Sequence, residues 1–191
     1  MTTAAAIAAA YPRAGLPLAR EIVATAARLG TNPVWLAHLI NFESAGQFSS
    51  SVKNPRSGAT GLIQFMPATA KGMGTTTAAL SRLTPVQQMR WVESYLRARG
   101  SLKTPQALYM AVFYPVAMQW SPTKRFPSWV TKSNPGIYTP GDYVKKVEAR
   151  ARPVSGGTTA LTTDGAPSRR FWYIFGSIGA VAAALAIFRN R

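Results

Sequence analysis

The chain has 191 residues, 47% of them hydrophobic, and a net charge of +16 from 22 basic and six acidic residues. This length suits one domain of ordinary size with an additional segment, and it excludes a large multidomain enzyme. Because there is no cysteine and only one histidine, His38, the sequence offers neither a disulfide framework nor a thiolate or multi-histidine metal site.

The first helical pattern lies near the N-terminus. Residues 1–16 contain an apolar run, Ala4 to Ala10, with no basic residue before it, and we interpret them as a retained segment preceding the folded head. From Pro17 to Leu29 the apolar residues recur at helical spacing, and Gly30 follows where a helix C-cap belongs. We therefore predict a helix over 17–29.

Four further helix starts have a common signature, a capping residue followed by proline at the first helical position. Thr84 and Gln87 also have the spacing of a capping box, and Gly100 is expected to end that helix. The four pairs are Asn32–Pro33, Thr84–Pro85, Thr104–Pro105 and Thr139–Pro140. Alternation of period two is too scattered to build a sheet, so we predict a mainly α head over residues 17–152.

Two segments follow the predicted head. Residues 153–168 are rich in Gly, Ser, Thr and Pro without apolar periodicity, as expected of a flexible linker. Within 169–191, Phe171 to Phe188 is an uncharged stretch with arginines on both sides. Its length predicts one C-terminal transmembrane helix; the alternative is a buried terminal helix. Arginines at both ends leave the orientation open.

Glu43 is an acid on an apolar helix face. Leu36, Leu39 and Ile40 form the stripe of the second helix, and Glu43 occupies the next position on it. Burial and the negative end of the helix dipole both raise a carboxyl pKa, which favours the protonated form that a general acid needs. The alternative is a structural residue at a helix end.

The segment that follows is more specific. Residues 43–70 read ESAGQFSSSVKNPRSGATGLIQFMPATA. They resemble the goose-type-lysozyme-like (SLT-type) lytic transglycosylases of bacteria and their phages, in which ES is followed by N-P-x-S-G-A and G-L-x-Q-F-M-P-x-T-A. YMAVFYPVAM at 109–118 and YTPGDYVKKVEARA at 138–151 look like phage members. The resemblance implies a lysozyme-like helical domain that cleaves peptidoglycan without a cofactor.

The resemblance also implies roles for individual residues. Glu43 would be the catalytic acid and then the base. Gln64 would bind an N-acetyl group, with a buried structural amide as the alternative, and Gly61 would allow close backbone approach. Ser44 either hydrogen-bonds near the site or only belongs to the turn after the helix. Two further residues are expected at the cleft wall and in the core, Phe65 and Met66.

One departure concerns the tyrosine that supports the glutamate in many relatives, within an A-Y-N motif. Here the sequence is Ala-Val-Phe-Tyr, so in direct register Phe113 stands at that position and has no hydroxyl. Tyr114, one place on, and Tyr109, four residues before Phe113 on the same helix face, are the candidates for this support or for substrate contact. Both could equally be packing residues.

The mechanism follows from the absence of a second candidate carboxylate. Hydrolases of either stereochemistry use two carboxylates, whereas lytic transglycosylases need one acid and close a 1,6-anhydro ring on the muramic acid. The remaining acids are expected mid-helix among polar neighbours, in surface pairs, at a helix start or in the linker: Glu21, Glu93, Asp142, Glu148 and Asp164. Glu148 is expected to pair with Arg152. A lysozyme-type hydrolase is the alternative.

The positive charge predicts a polyanionic partner, since residues 1–152 hold eighteen basic and five acidic residues. We expect a virion-associated, membrane-anchored enzyme that opens peptidoglycan during phage genome entry, acting in the host envelope beside other entry proteins. The alternatives are a conjugation or secretion-system muramidase and a basic virion protein that binds DNA on a degenerate lysozyme scaffold.

Overall fold

The computed structural model describes residues 3–154, which fold into α-helices joined by loops. The helices are α1 (Ala4–Ala10), α2 (Gly15–Leu29), α3 (Pro33–Glu43), α4 (Pro67–Gly72), α5 (Thr77–Ser81), α6 (Pro85–Arg97), α7 (Pro105–Phe113), α8 (Ser128–Ser133) and α9 (Pro140–Glu148), with a 3-10 turn at Pro115–Ala117. The mainly α prediction is confirmed, and within 3–154 the only β pairing consists of isolated bridges.

The predicted helix starts are confirmed by their caps. The side chains of Asn32, Thr84, Thr104 and Thr139 each accept a backbone N–H of the following helix. Thr84 and Gln87 form the expected capping box, which satisfies two N–H groups that a helix start leaves open. Gly30 ends α2 in the left-handed conformation. The end of α6 was placed too late, because the helix stops at Arg97.

The N-terminal segment belongs to the folded head, contrary to the boundary drawn at residue 17. Helix α1 packs on α2, and Ile7 and Tyr11 are buried in the core. The Tyr11 hydroxyl accepts a hydrogen bond from the backbone N–H of Arg152 at 2.8 Å, which ties the two ends of the head together. An alanine-rich run has too little apolar contrast to reveal this packing in the sequence.

Residues 44–66 form an irregular lobe after α3. Isolated bridges join Thr60 to Lys53 and to Phe65. Gln88 of α6, fully buried, holds this lobe: its side chain accepts from Leu62 N at 2.7 Å and donates to backbone carbonyls in the lobe and in α5. The lobe is thereby fixed against the helices beside the end of α3.

Helices α3, α7 and α9 pack against one another and form the centre of the core. Most of α3 is buried, as its near-continuous apolar sequence requires. The C-terminal residue of this central helix is Glu43. The predicted linker, apart from its first two residues, and the predicted transmembrane helix lie outside the described residues. Within residues 3–154 no helix is long and apolar enough to cross a membrane.

Candidate active site

Glu43 lies at the C-terminal end of α3, with only 5% of its surface exposed. Burial raises the pKa of its carboxyl from 4.5 to about 7, although a hydrogen bond from Tyr143 acts in the opposite direction. A carboxyl group with this pKa exists in both protonation states near neutral pH. It can therefore donate a proton and take one back.

Tyr143 of α9 is the hydrogen-bond partner of Glu43. Its hydroxyl donates to Glu43 Oε1 at 2.5 Å, and its side chain is fully buried. Burial and the neighbouring Glu43 carboxylate raise the pKa of Tyr143 well above its usual value, so the phenol keeps its proton and acts as a donor. The ring stacks on Phe113 at 4.3 Å between centroids and meets Phe42 edge-on at 5.5 Å.

The phenol beside Glu43 comes from α9, whereas the candidates in the sequence, Tyr109 and Tyr114, lie in α7 and at its end. Phe113 supplies a stacking surface for the Tyr143 ring. Tyr109 is fully buried and donates to Glu148, while Tyr114 lies in an aromatic cluster. The signal that could have identified Tyr143 was present in the stretch at 138–151, where Tyr143 follows the Thr139–Pro140 helix start.

A second polar link joins α3 to α9. Tyr109 donates to Glu148 Oε1 at 2.5 Å, and His38 Nδ1 lies 3.3 Å from Glu148 Oε2, so the expected pairing of Glu148 with Arg152 is wrong. Burial acts to raise the pKa of Glu148, but the neighbouring His38 and the hydrogen bond from Tyr109 outweigh it and lower the pKa. The His38–Glu148 link lies five residues from the Glu43–Tyr143 link on each helix, so both links fix the antiparallel helix pair that positions Glu43.

The backbone around Glu43 adopts unusual conformations. Ala45 and Phe48 have φ of 50°, and Gln64 has φ of 53°, a region that non-glycine residues seldom occupy. The Ser44 hydroxyl donates to Ile40 O at 2.7 Å and accepts from Phe48 N at 3.0 Å, so within the described contacts it stabilises the turn after α3. Backbone strain is thus concentrated in the irregular lobe that follows Glu43.

The two polar atoms of the Gln64 side chain differ: Nε2 is hydrogen-bonded within the lobe, and Oε1 is not. Its Nε2 donates to Gly61 O at 3.1 Å and to Val52 O at 3.3 Å, which uses its donors inside the lobe. Its Oε1 is buried and has no hydrogen-bond partner among the described residues. An orphaned acceptor suits an N–H donor such as that of a sugar acetamide, and this substrate contact stays a prediction.

Three neighbouring positions shape the lobe. Gly61, at φ of 90°, allows the Gln88 side chain to approach: a Cβ at this position would lie 2.3 Å from Gln88 Oε1. The close approach predicted for Gly61 is therefore to a buried protein side chain. Phe65 is buried and meets Tyr95 edge-on at 6.0 Å, and Met66 is half-buried at the start of α4.

The other carboxylates of residues 3–154 are engaged elsewhere. Glu21 and Glu93 pair with Arg28, and Glu93 also pairs with Arg97 four residues on in α6. Asp142 caps α9, and Glu148 is held by Tyr109 and His38. Glu43 is the acid of the described region that combines deep burial with a pKa near neutrality.

Residues 21–109 match the family model of the transglycosylase SLT domain. The match begins in α2, ends in α7 and includes Glu43 and the whole lobe that follows it. This match supports an SLT, lysozyme-like domain at these residues and, in general terms, transglycosylase-type action on peptidoglycan. Comparisons with curated proteins and with solved structures gave no significant match.

Proposed function

We propose that this protein is a peptidoglycan lytic transglycosylase that cleaves the bond between N-acetylmuramic acid and N-acetylglucosamine with Glu43 alone as acid and base. The observation that carries the proposal is the environment of this carboxyl: it is buried at a helix end, has a pKa of about 7 and accepts a hydrogen bond from Tyr143. The remaining carboxylates of residues 3–154 have other partners, so the two-carboxylate mechanism of hydrolases has no evident second member in this region.

The proposed reaction has two proton transfers through the same group. Protonated Glu43 donates to the glycosidic oxygen, the bond to the muramic acid C1 breaks, and the N-acetylglucosamine leaves with its hydroxyl restored. The muramyl acetamide stabilises the developing cation. The Glu43 carboxylate, held by the Tyr143 hydroxyl, then takes the proton from the sugar's 6-hydroxyl as that oxygen bonds to C1. Glu43 ends protonated, ready for the next cycle.

We expect activity to fall as pH rises through about 7. The first step needs protonated Glu43, and with a pKa of about 7 the protonated fraction decreases about tenfold per unit at higher pH. The measurement is the initial rate of release of soluble fragments from peptidoglycan between pH 5 and 9. A rate that stays constant from pH 6 to 9 contradicts the assignment of Glu43 as the acid.

Tyr143→Phe is expected to lower turnover by about tenfold or more, since a hydrogen bond to a charged group contributes about 1.5 to 3 kcal/mol. It also moves the basic limb of the pH profile to higher pH, because the hydrogen bond from Tyr143 lowers the Glu43 pKa in the wild-type protein. The measurement is kcat across pH in both proteins.

Tyr109→Phe is the matched control, since it removes another buried phenol hydroxyl that contacts Glu148 rather than Glu43. We expect this variant to keep the wild-type position of the basic limb. A shift of equal size in both variants assigns the effect to loosening of the core, not to the Glu43–Tyr143 bond.

The identity of the product tests the proposed reaction. Fragments released by the wild-type enzyme should be 18 Da, about one water, lighter than hydrolysis products, because the 6-hydroxyl closes the anhydro ring in place of water. Mass spectrometry of the digest distinguishes the two. Reducing termini in place of anhydro termini overturn the transglycosylase assignment and favour a lysozyme-type hydrolase.

For the place of action we propose a virion-associated protein that is anchored in a membrane through Phe171 to Phe188 and opens the host cell wall during genome entry. The support is the resemblance of residues 109–118 and 138–151 to phage members and the uncharged stretch between arginines. Detection of the protein in purified particles that cleave peptidoglycan tests the role. Particles that lack the protein favour the conjugation or secretion alternative, and a protein that shifts DNA without cleaving peptidoglycan favours the DNA-binding one.

A further inference from the structure

The segment after α7 forms an exposed aromatic surface. Tyr114 is edge-on to Trp120, Phe126 and Trp129 at 5.6 to 5.9 Å between ring centroids, and Trp120 lies 6.1 Å from Phe126. Tyr114 and Phe126 are buried, whereas Trp129 is 47% exposed and the nearby Tyr138 is 45% exposed. We call these five residues the aromatic surface. It lies beyond residues 21–109, in a part of the chain that the SLT family model does not match.

The aromatic surface is bordered by positive charge. Lys124 Nζ lies 4.1 Å from the centre of the Trp120 ring, and Arg125 Cζ lies 5.5 Å from that of Tyr138. The sequence has no acidic residue between Glu93 and Asp142. Asp142 itself accepts the backbone N–H groups that precede α9, so the exposed Lys124 and Arg125 border the rings without a free acid among them.

The surface is held rigidly against the start of α9. Phe126 N donates to Tyr138 O at 2.8 Å, and Gly141 N donates to Pro122 O at 2.9 Å. The approach at Gly141 is so close that a Cβ there would lie 2.9 Å from the same carbonyl oxygen. A surface fixed in this way loses little conformational entropy when it binds a partner.

Ring contacts connect the aromatic surface to the candidate catalytic acid. Phe126 meets Phe113 at 5.7 Å, Phe113 stacks on Tyr143, and Tyr143 donates to Glu43. The exposed Trp129 therefore belongs to the same packed unit as the proposed proton donor.

We propose that the aromatic surface binds the peptidoglycan strand beyond the cleavage site, with Trp129 stacking on a sugar ring and Lys124 and Arg125 pairing with carboxylates of the peptide stems. The C–H edges of a sugar carry slight positive charge, which the negative face of an indole attracts. Peptidoglycan alternates such faces with carboxylates, which matches a surface that combines exposed rings and cations without a free acid. This proposal rests on the proposed function and extends it to substrate binding.

The test measures binding of the full chain carrying Glu43→Gln to purified insoluble peptidoglycan by co-sedimentation, so that cleavage does not interfere. Adding Trp129→Ala should weaken binding by about tenfold, as expected for loss of an aromatic anchor, whereas Trp129→Phe keeps a ring and most of the binding. Lys124→Ala with Arg125→Ala should weaken binding to intact peptidoglycan but not to glycan strands whose peptides an amidase has removed.

Arg90→Ala is the matched control, because Arg90 is another exposed cation over a tryptophan, 5.5 Å from the Trp91 ring, and lies on α6 outside the aromatic surface. It should change binding by less than about twofold. The inference is overturned if the Trp129→Ala protein binds peptidoglycan like its parent. The same holds if, in a parallel assay, Trp129→Ala weakens binding to anionic phospholipid vesicles but not to peptidoglycan. Trp129-dependent binding by a wild-type protein that produces no cleavage contradicts the proposed function alone.

Discussion

Glu43→Gln is expected to lower turnover by at least the 10² to 10⁴ that acid–base groups typically contribute. The amide keeps the shape of the side chain and can still accept the hydrogen bond from Tyr143, but it cannot donate a proton to a leaving oxygen. The measurement is kcat on peptidoglycan at pH 6, where most of the wild-type Glu43 is protonated. Glu21→Gln, the same chemical change in a surface ion pair, should keep wild-type turnover.

Glu43→Gln should also make the protein more stable than the wild type at alkaline pH. Burial raises the folded-state pKa of Glu43 from 4.5 to about 7, so between these values the unfolded chain releases the proton first and stability falls as pH rises. The shift corresponds to a loss of about 3 kcal/mol above pH 7, which glutamine does not suffer. Thermal unfolding at pH 8 and pH 4.5 should show the advantage of the variant at pH 8 and its disappearance at pH 4.5.

These two readouts separate a wrong site from a misfolded variant. Loss of turnover with a raised melting temperature at pH 8 assigns Glu43 as a buried acid kept for catalysis at the expense of stability. An active Glu43→Gln protein refutes the assignment. If the variant is inactive and unstable at both pH values, its loss of turnover is due to misfolding. The Tyr143→Phe measurement then decides the site assignment.

Gly61→Ala is expected to destabilise the head by about 3 kcal/mol or more. The added Cβ would lie 2.3 Å from Gln88 Oε1, and Gln88 can move away only by breaking its three hydrogen bonds, two to the irregular lobe and one to Leu80 of α5. A side chain at φ of 90° adds backbone strain of about 1 kcal/mol. The measurement is the free energy of unfolding in urea.

Gly100→Ala isolates the backbone part of this effect. Gly100 has φ of 88°, close to that of Gly61, but no atom lies within 4 Å of an added Cβ. We expect it to lose only about 1 kcal/mol. Equal losses in the two variants contradict the collision with Gln88, whereas a larger loss in Gly61→Ala together with reduced turnover shows that the lobe positions groups at the active site.

The local features of this protein, its helix starts and its buried acid, could be predicted from the sequence alone. Each capping residue followed by proline marks a helix start because its physics is confined to a few neighbouring residues, and all four predicted starts are caps in the structure. Glu43 was recognised for a similar reason, since its position on the apolar stripe of one helix depends only on helical spacing. The segment 43–70 then identified the kind of domain, which the match at residues 21–109 supports.

Only the tertiary structure decided which groups meet across the chain. Tyr143 lies 100 residues after Glu43, and Gln88 lies 26 residues after the Leu62 N–H that it holds. Helix spacing carries no information about such pairs, because they depend on how α3, α7 and α9 pack and on where an irregular lobe folds back. For the same reason the sequence left the role of Tyr109 open: the carboxylate that its hydroxyl reaches belongs to Glu148 of α9.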